Sequence, residues 1–150
     1  PLAGNVFSHN TPIRAEDAIG AGYNEEEWKV IEESRKILGI RHLTISPTCM
    51  RVQVLRAHTE AVTVDFKKDI PLANLQKALQ EAPGLKWVND PENQHFPMPL
   101  EAQNQDLVFV GRLRKDVSLG TVAHYILCGD QIRKGAATNA VQILEALVNA

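Results

Sequence analysis

Arg51 and His58 bracket a short apolar run, Val52 to Leu55, in the segment Cys49-Met50-Arg51-Val52-Gln53-Val54-Leu55-Arg56-Ala57-His58-Thr59-Glu60-Ala61-Val62. Arginine offers a planar fork that holds a carboxylate through two parallel hydrogen bonds. Histidine is the side chain best placed to move a proton near neutral pH. A carboxylate clamp followed by an acid/base suits an enzyme that grips a small acid at one end and transfers protons at the other. An exposed arginine and a hydrogen-bonded strand histidine would carry the same letters, and chemistry alone favours that plainer reading. Glu26 and Lys29 form a second pair, three positions apart, so one helix face can present both. A surface ion pair worth about 0.2–0.5 kcal/mol is the plainer reading there.

Other residues carry weaker signals. Glu60 follows His58 by two, so on a strand it shares that face and could orient the imidazole; a solvated carboxylate is an equal reading. Arg112 and Arg114 alternate onto one strand face. His9, His42, His95 and His124 show no metal-ligand spacing, and no metal is assigned. Cys49 reads as core, and with only Cys128 beside it there is no disulfide framework.

The elements that must position these residues follow from pattern. Residues 1–22 carry prolines and glycines without a sustained period and read as irregular or extended. Asn24 is a good N-cap, three glutamates follow where the helix dipole favours negative charge, Trp28, Ile31 and Leu38 share a face, and Gly39 is a stop. Leu43, Ile45 and the run Val52 to Leu55 read as strand, interrupted by Pro47. Val62, Val64 and Phe66 alternate as a half-buried strand. Pro71 suits a helix first turn, with Leu72, Leu75 and Leu79 behind it, and Pro83-Gly84 ends that helix. Leu85 to Val88 is a short strand, residues 89–106 a long loop, and Leu107 to Leu113 and Thr121 to Cys128 are strands. Ile132 to Val148 is a final helix. Helices and strands do not alternate strictly, so the fold class is α+β, with a mixed, largely antiparallel sheet and helices packed on one face.

Composition bounds the function. One hundred and fifty residues suit a single domain, 1–150, with a real core. Hydrophobic content of 44% and charged content of 23% are ordinary globular values. A net charge of -2 gives no reason to expect nucleic acid or membrane as a partner. No apolar stretch approaches a membrane span, no signal peptide is apparent, and a reducing, cytoplasmic setting is expected.

Beyond chemistry, the Cys49 to Val62 stretch resembles the substrate-site segment of aspartate-semialdehyde dehydrogenases, roughly Cys-Val-Arg-Val-Pro-Val, three variable residues, then His-Ser-Glu-Ala. Gln53 stands here where that pattern has proline. Pro1-Leu2-Ala3-Gly4-Asn5-Val6 resembles the start of the family's second domain. Tyr23-Asn24-Glu25-Glu26-Glu27-Trp28-Lys29 resembles its Glu-Glu-x-Lys helix start. Val110-Gly111-Arg112-Leu113-Arg114 is similar to its Gly-Arg-(Ile/Leu)-Arg strand, and Gly129-Asp130-Gln131 through Ile143 to its closing helix. No Gly-x-Gly-x-x-Gly turn is present, and neither cysteine has the family's Asn-Cys neighbourhood.

The resemblance implies the second domain of such an enzyme, of the glyceraldehyde-3-phosphate dehydrogenase-like C-terminal type. It implies an NADP-dependent oxidoreductase of lysine, methionine and threonine biosynthesis, acting on a small-molecule substrate and phosphate as a homodimer. The nucleotide-binding domain would be a separate partner, so this chain alone is expected to be inactive. By motif, His58 is the implied acid/base, Arg51 the carboxylate clamp, Glu26 the ammonium site, Lys29 part of the phosphate site, and Asn139 a neighbour of the nicotinamide. The helix over 130–148 would pack near the nucleotide-binding domain. Two other classes remain: a related acyl-phosphate reductase such as N-acetyl-glutamyl-phosphate reductase, and a non-catalytic dimerisation module.

Overall fold

The computed structural model describes residues 3–16 and 19–149. Pro1 and Leu2, from the first motif, lie outside them. The chain forms two compact units, Pro1–Gln53 and Val54–Ala150.

The first unit is built on α1 (Glu25–Leu38). Asn24 begins it with a reciprocal cap: its side-chain oxygen accepts from the Glu27 amide, and the Glu27 carboxylate accepts from the Asn24 amide, both at 2.9 Å. Gly39, at φ 67°, ends it in the left-handed conformation that lets the last turn close without a Cβ clash. Ile31 is buried and Trp28 half-buried, but Leu38 is exposed, so the apolar face is shorter than its spacing predicts. The strands expected at Leu43, Ile45 and Val52–Leu55 do not form. In the first unit the segment has one isolated bridge, Arg51 with Phe7, and is otherwise tied by side chains: Arg35 Nε donates to the Leu43 carbonyl, and the Cys49 amide donates to Glu27. An alternating sequence becomes a strand only where a partner backbone runs beside it, and Pro47 interrupts the run.

The second unit is a four-stranded sheet in the order β1-β4-β3-β2. Its strands are β1 (His58–Asp65), β2 (Leu85–Trp87), β3 (Val108–Lys115) and β4 (Val122–Gly129). Only the β2–β3 pair is parallel, so the sheet is mixed and largely antiparallel. Helix α2 (Leu72–Glu81) lays Leu75, Ala78 and Leu79 over Val64, Phe66, Leu113, Ala123 and Tyr125, around an apolar pocket of about 230 Å³. The other face packs Phe109 and Cys128 against Ala57, Val88 and Ala102. Ala102 belongs to α3 (Pro99–Ala102), a short helix inside the stretch expected to be loop.

β3 carries a bulge between Gly111 and Arg114, where Arg112 takes φ 54° and its amide donates to Asn89. The bulge breaks the expected alternation: Arg112 lies over the Phe96 ring, while Arg114 pairs in register with His124. Gly111 is needed because the Val88 carbonyl oxygen occupies the space a Cβ would take. The C-terminal helix begins as a π-helical turn, Arg133–Ala137, before α4 (Thr138–Val148). Every described residue of α4 after Asn139 is exposed, including Val141, Ile143, Leu144 and Leu147.

Candidate functional site

In the first unit, α1 presents Glu26 and Lys29 on one side of its opening turns. Lys29 Nζ lies 3.2 Å from both Glu26 oxygens, with the two side chains 41% and 53% exposed. Each therefore neutralises the other at the surface, and so exposed a pair contributes at most a few tenths of a kcal/mol. Arg51 is held by its backbone, which exchanges two 3.0 Å hydrogen bonds with Phe7, while its guanidinium reaches solvent without a partner among the described residues. Glu27 links the two places. Its carboxylate completes the α1 cap and also takes the Cys49 amide at 2.8 Å, two residues before Arg51. That role was not legible beforehand, because a buried glutamate in a helix first turn carries the same letters as a solvated one.

In the second unit, His58 opens β1 opposite Gly129. It is exposed, and its ring has no hydrogen-bond partner among the described residues. The corner before it is tightly held. Ala57 is buried at φ 75°, a region L side chains rarely adopt, and its amide donates to Gln131 Oε1 at 2.9 Å. Arg56 Nε lies 2.7 Å from Asp130 Oδ2. Asp130 is fully buried and also accepts from the amides of Asn104 (2.7 Å), Ile132 (2.9 Å) and Arg133 (3.1 Å). Burial alone would raise its pKa; the amide donors and Arg56 outweigh it and bring the carboxyl down to about 2.

Asn139 sits in the first turn of α4, half-buried, its side-chain oxygen 3.4 Å from Lys134 Nζ. Lys134 reaches on to Gln142 at 2.6 Å. Arg133 grips Asp106 with two bonds of 2.7 and 2.8 Å, and Thr138 adds a third to the same carboxylate. Arg133 is the main reason the Asp106 carboxyl falls to about 2. Of the cysteines, Cys128 is buried in the core and burial pushes its thiol pKa up, the opposite of an activated nucleophile. Cys49 is half-buried, with its amide on Glu27.

The candidates thus fall into two sets. Glu26, Lys29 and Arg51 belong to the first unit, His58 and Asn139 to the second. Arg56, Asp130 and Gln131, which hold the approach to His58, were not singled out from sequence. Gly129-Asp130-Gln131 was visible as a motif, but the convergence of amides on Asp130 exists only in three dimensions.

Comparison with known proteins places this geometry in a lineage. The family described as "Semialdehyde dehydrogenase, dimerisation domain" matches residues 1–134. An aspartate-semialdehyde dehydrogenase of Synechocystis is 50% identical over 99% of the chain and 42% of the relative. One from Aquifex aeolicus is 42% identical over 85% of the chain and 37% of the relative. The structure of aspartate semialdehyde dehydrogenase II from Vibrio cholerae, complexed with ASA, superposes with a TM-score of 0.87 at 34% identity, over 97% of this chain and 41% of that one. The chain therefore spans about two-fifths of the length of the curated relatives it matches.

Proposed function

The chain belongs to the semialdehyde dehydrogenase dimerisation-domain family, and from that premise we propose that it is the substrate-binding and dimerisation part of an aspartate-semialdehyde dehydrogenase. The reaction is the reversible conversion of L-aspartate β-semialdehyde, phosphate and NADP to L-β-aspartyl phosphate and NADPH. The observation that carries this reading is 50% identity across 99% of the chain to a relative of that name. N-acetyl-glutamyl-phosphate reductase, the nearest competing activity, has no observation in its favour.

Each side chain has a physically suited role. Arg51 has its backbone fixed and its guanidinium without a partner among the described residues, so it can bind a substrate carboxylate bidentately and set the orientation of a four-carbon acid. His58 presents an imidazole with no hydrogen-bond partner among the described residues and serves as general acid/base. Glu26 receives the substrate ammonium and Lys29 the phosphate. Their mutual ion pair is exposed and weak, so exchanging it for these ligands costs little.

NADP would accept and return the hydride, held mainly by a nucleotide-binding domain that also carries the nucleophilic cysteine. This chain offers Asn139 toward the nicotinamide: its oxygen faces Lys134, leaving the amide nitrogen able to donate to a carboxamide. The exposed apolar residues of α4 suit a helix that docks on such a domain, and the chain works as a homodimer. The setting is cytoplasmic, in keeping with a sequence whose two cysteines make no disulfide framework.

The test is an assay of the full-length protein and of this chain with aspartate semialdehyde, phosphate and NADP. Turnover by the full-length protein and none by the chain is the expected result. Turnover by the chain that disappears on changing Cys49 or Cys128 would overturn the division of labour. Full-length protein that turns over only N-acetyl-glutamate semialdehyde would overturn the substrate. Light scattering of the chain across a concentration series tests the dimer, and a monomer at high micromolar concentration would contradict it.

A further inference from the structure

We propose that Asp130 and Arg56 are positioning residues for His58, fixing the backbone corner from which the imidazole is presented. The proposal rests on the acid/base reading of His58 given above. Three observations converge on it. His58 is paired in register with Gly129, the residue before Asp130. Ala57, immediately before His58, holds φ 75°, which a free chain would leave. The anchors that keep it there come from the residues that follow Gly129: Gln131 Oε1 takes the Ala57 amide at 2.9 Å, and Asp130 Oδ2 lies 2.7 Å from Arg56 Nε.

Asp130 is well made for an anchor. It is fully buried, and its contacts are all to donors: the amides of Asn104, Ile132 and Arg133, and Arg56. Those amides lie in the 104 turn and at the start of the π-helical turn, so the carboxylate registers Arg56 against two other segments at once. The residue pair before His58 is thus held, Ala57 through its amide and Arg56 through its ion pair with Asp130, whereas the His58 ring has no hydrogen-bond partner among the described residues. The pull of those donors keeps the carboxyl ionised far below neutral pH, so the Arg56 contact is a permanent ion pair in the working range.

A merely structural ion pair would act on stability and leave the chemistry of His58 alone, and a double-mutant cycle separates the two. In the full-length protein, kcat and KM are measured for Arg56→Met, His58→Asn and the double variant, with melting curves for each. Arg56→Met should lower kcat by roughly ten- to a hundredfold, as displacement of a reacting group by an ångström does, with KM changed by no more than about twofold. In the His58→Asn background the same substitution should change kcat by less than about twofold, because the group it positions is gone. Arg56→Lys, which keeps a charge for Asp130, should recover much of the lost turnover and covers the case in which Arg56→Met does not fold. An equal loss in both backgrounds, or a lowered melting temperature with unchanged kcat, overturns the proposal. If His58→Asn itself leaves kcat intact, the acid/base reading fails first and takes this one with it, an outcome distinct from either of the others.

Discussion

The two units hold their candidate residues by opposite means. In the first, Arg51 sits in a segment without a ladder, fixed by one bridge to Phe7 and by a glutamate that reaches across from α1 to Cys49. In the second, His58 is the first residue of a strand with eight cross-strand partners in β4, and its approach is clamped by a buried carboxylate. A binding residue on a lightly tied segment can settle onto its ligand, whereas a proton carrier gains from a rigid frame, since its effect depends steeply on placement. One continuous stretch of sequence, 51–58, spans both regimes.

Replacing the two residues should expose that contrast. In the full-length protein, His58→Asn should lower kcat by roughly a hundred- to ten-thousandfold with little change in KM, as removal of a general acid/base does. A rise in KM with kcat intact would make His58 a binding residue and erase the contrast. Arg51→Lys should cost less. It exchanges the fork for a point charge and forfeits roughly 1.5–3 kcal/mol of charged hydrogen bonding, on the order of ten- to a hundredfold in kcat/KM. An unchanged kcat/KM would remove the clamp role.

Stability tests the frame itself. Gly111→Ala drives a methyl into the Val88 carbonyl, and neither backbone can yield easily. A loss of roughly 1–3 kcal/mol is expected, read as a lower denaturant midpoint, as for overpacked sites generally. A midpoint equal to the parent's would mean the β2–β3 approach is looser than described. The smallest effect should come from Glu26→Gln, which removes the exposed pair with Lys29 and one of three first-turn charges on the helix dipole and should change stability by no more than about 1 kcal/mol. A larger loss would show that the pair supports α1 rather than waiting for ligands.

Much of this was legible in the sequence where the physics is local. The Asn24 N-cap, the Gly39 stop, the alternation of β1 and the helix after Pro71 are written in neighbouring residues, and each appeared where its letters placed it. Leu43 to Leu55 failed because a strand is a property of two segments, and the letters describe one. The π-helical turn failed because Arg133 to Ala137 reads as ordinary helix until the amides are followed to Asp130 and Ile132. At the candidate site, residue types were legible and supports were not: nothing marks Ala57 or Arg112 as left-handed, since most such positions hold glycine or asparagine.

The π-helical turn also sets a phase. An ordinary helix advances roughly 100° per residue, so widening one turn to admit an extra residue rotates everything after it by about that amount. If Arg133–Ala137 closed as regular helix with no residue removed, Asn139 and the exposed apolar residues Ile143, Leu144 and Leu147 would swing together to a different azimuth; deleting one residue from the turn would instead leave their azimuth nearly unchanged. The insertion thus works as an angular offset: where this helix aims its side chains is decided before α4 begins, by the length of one loosened turn.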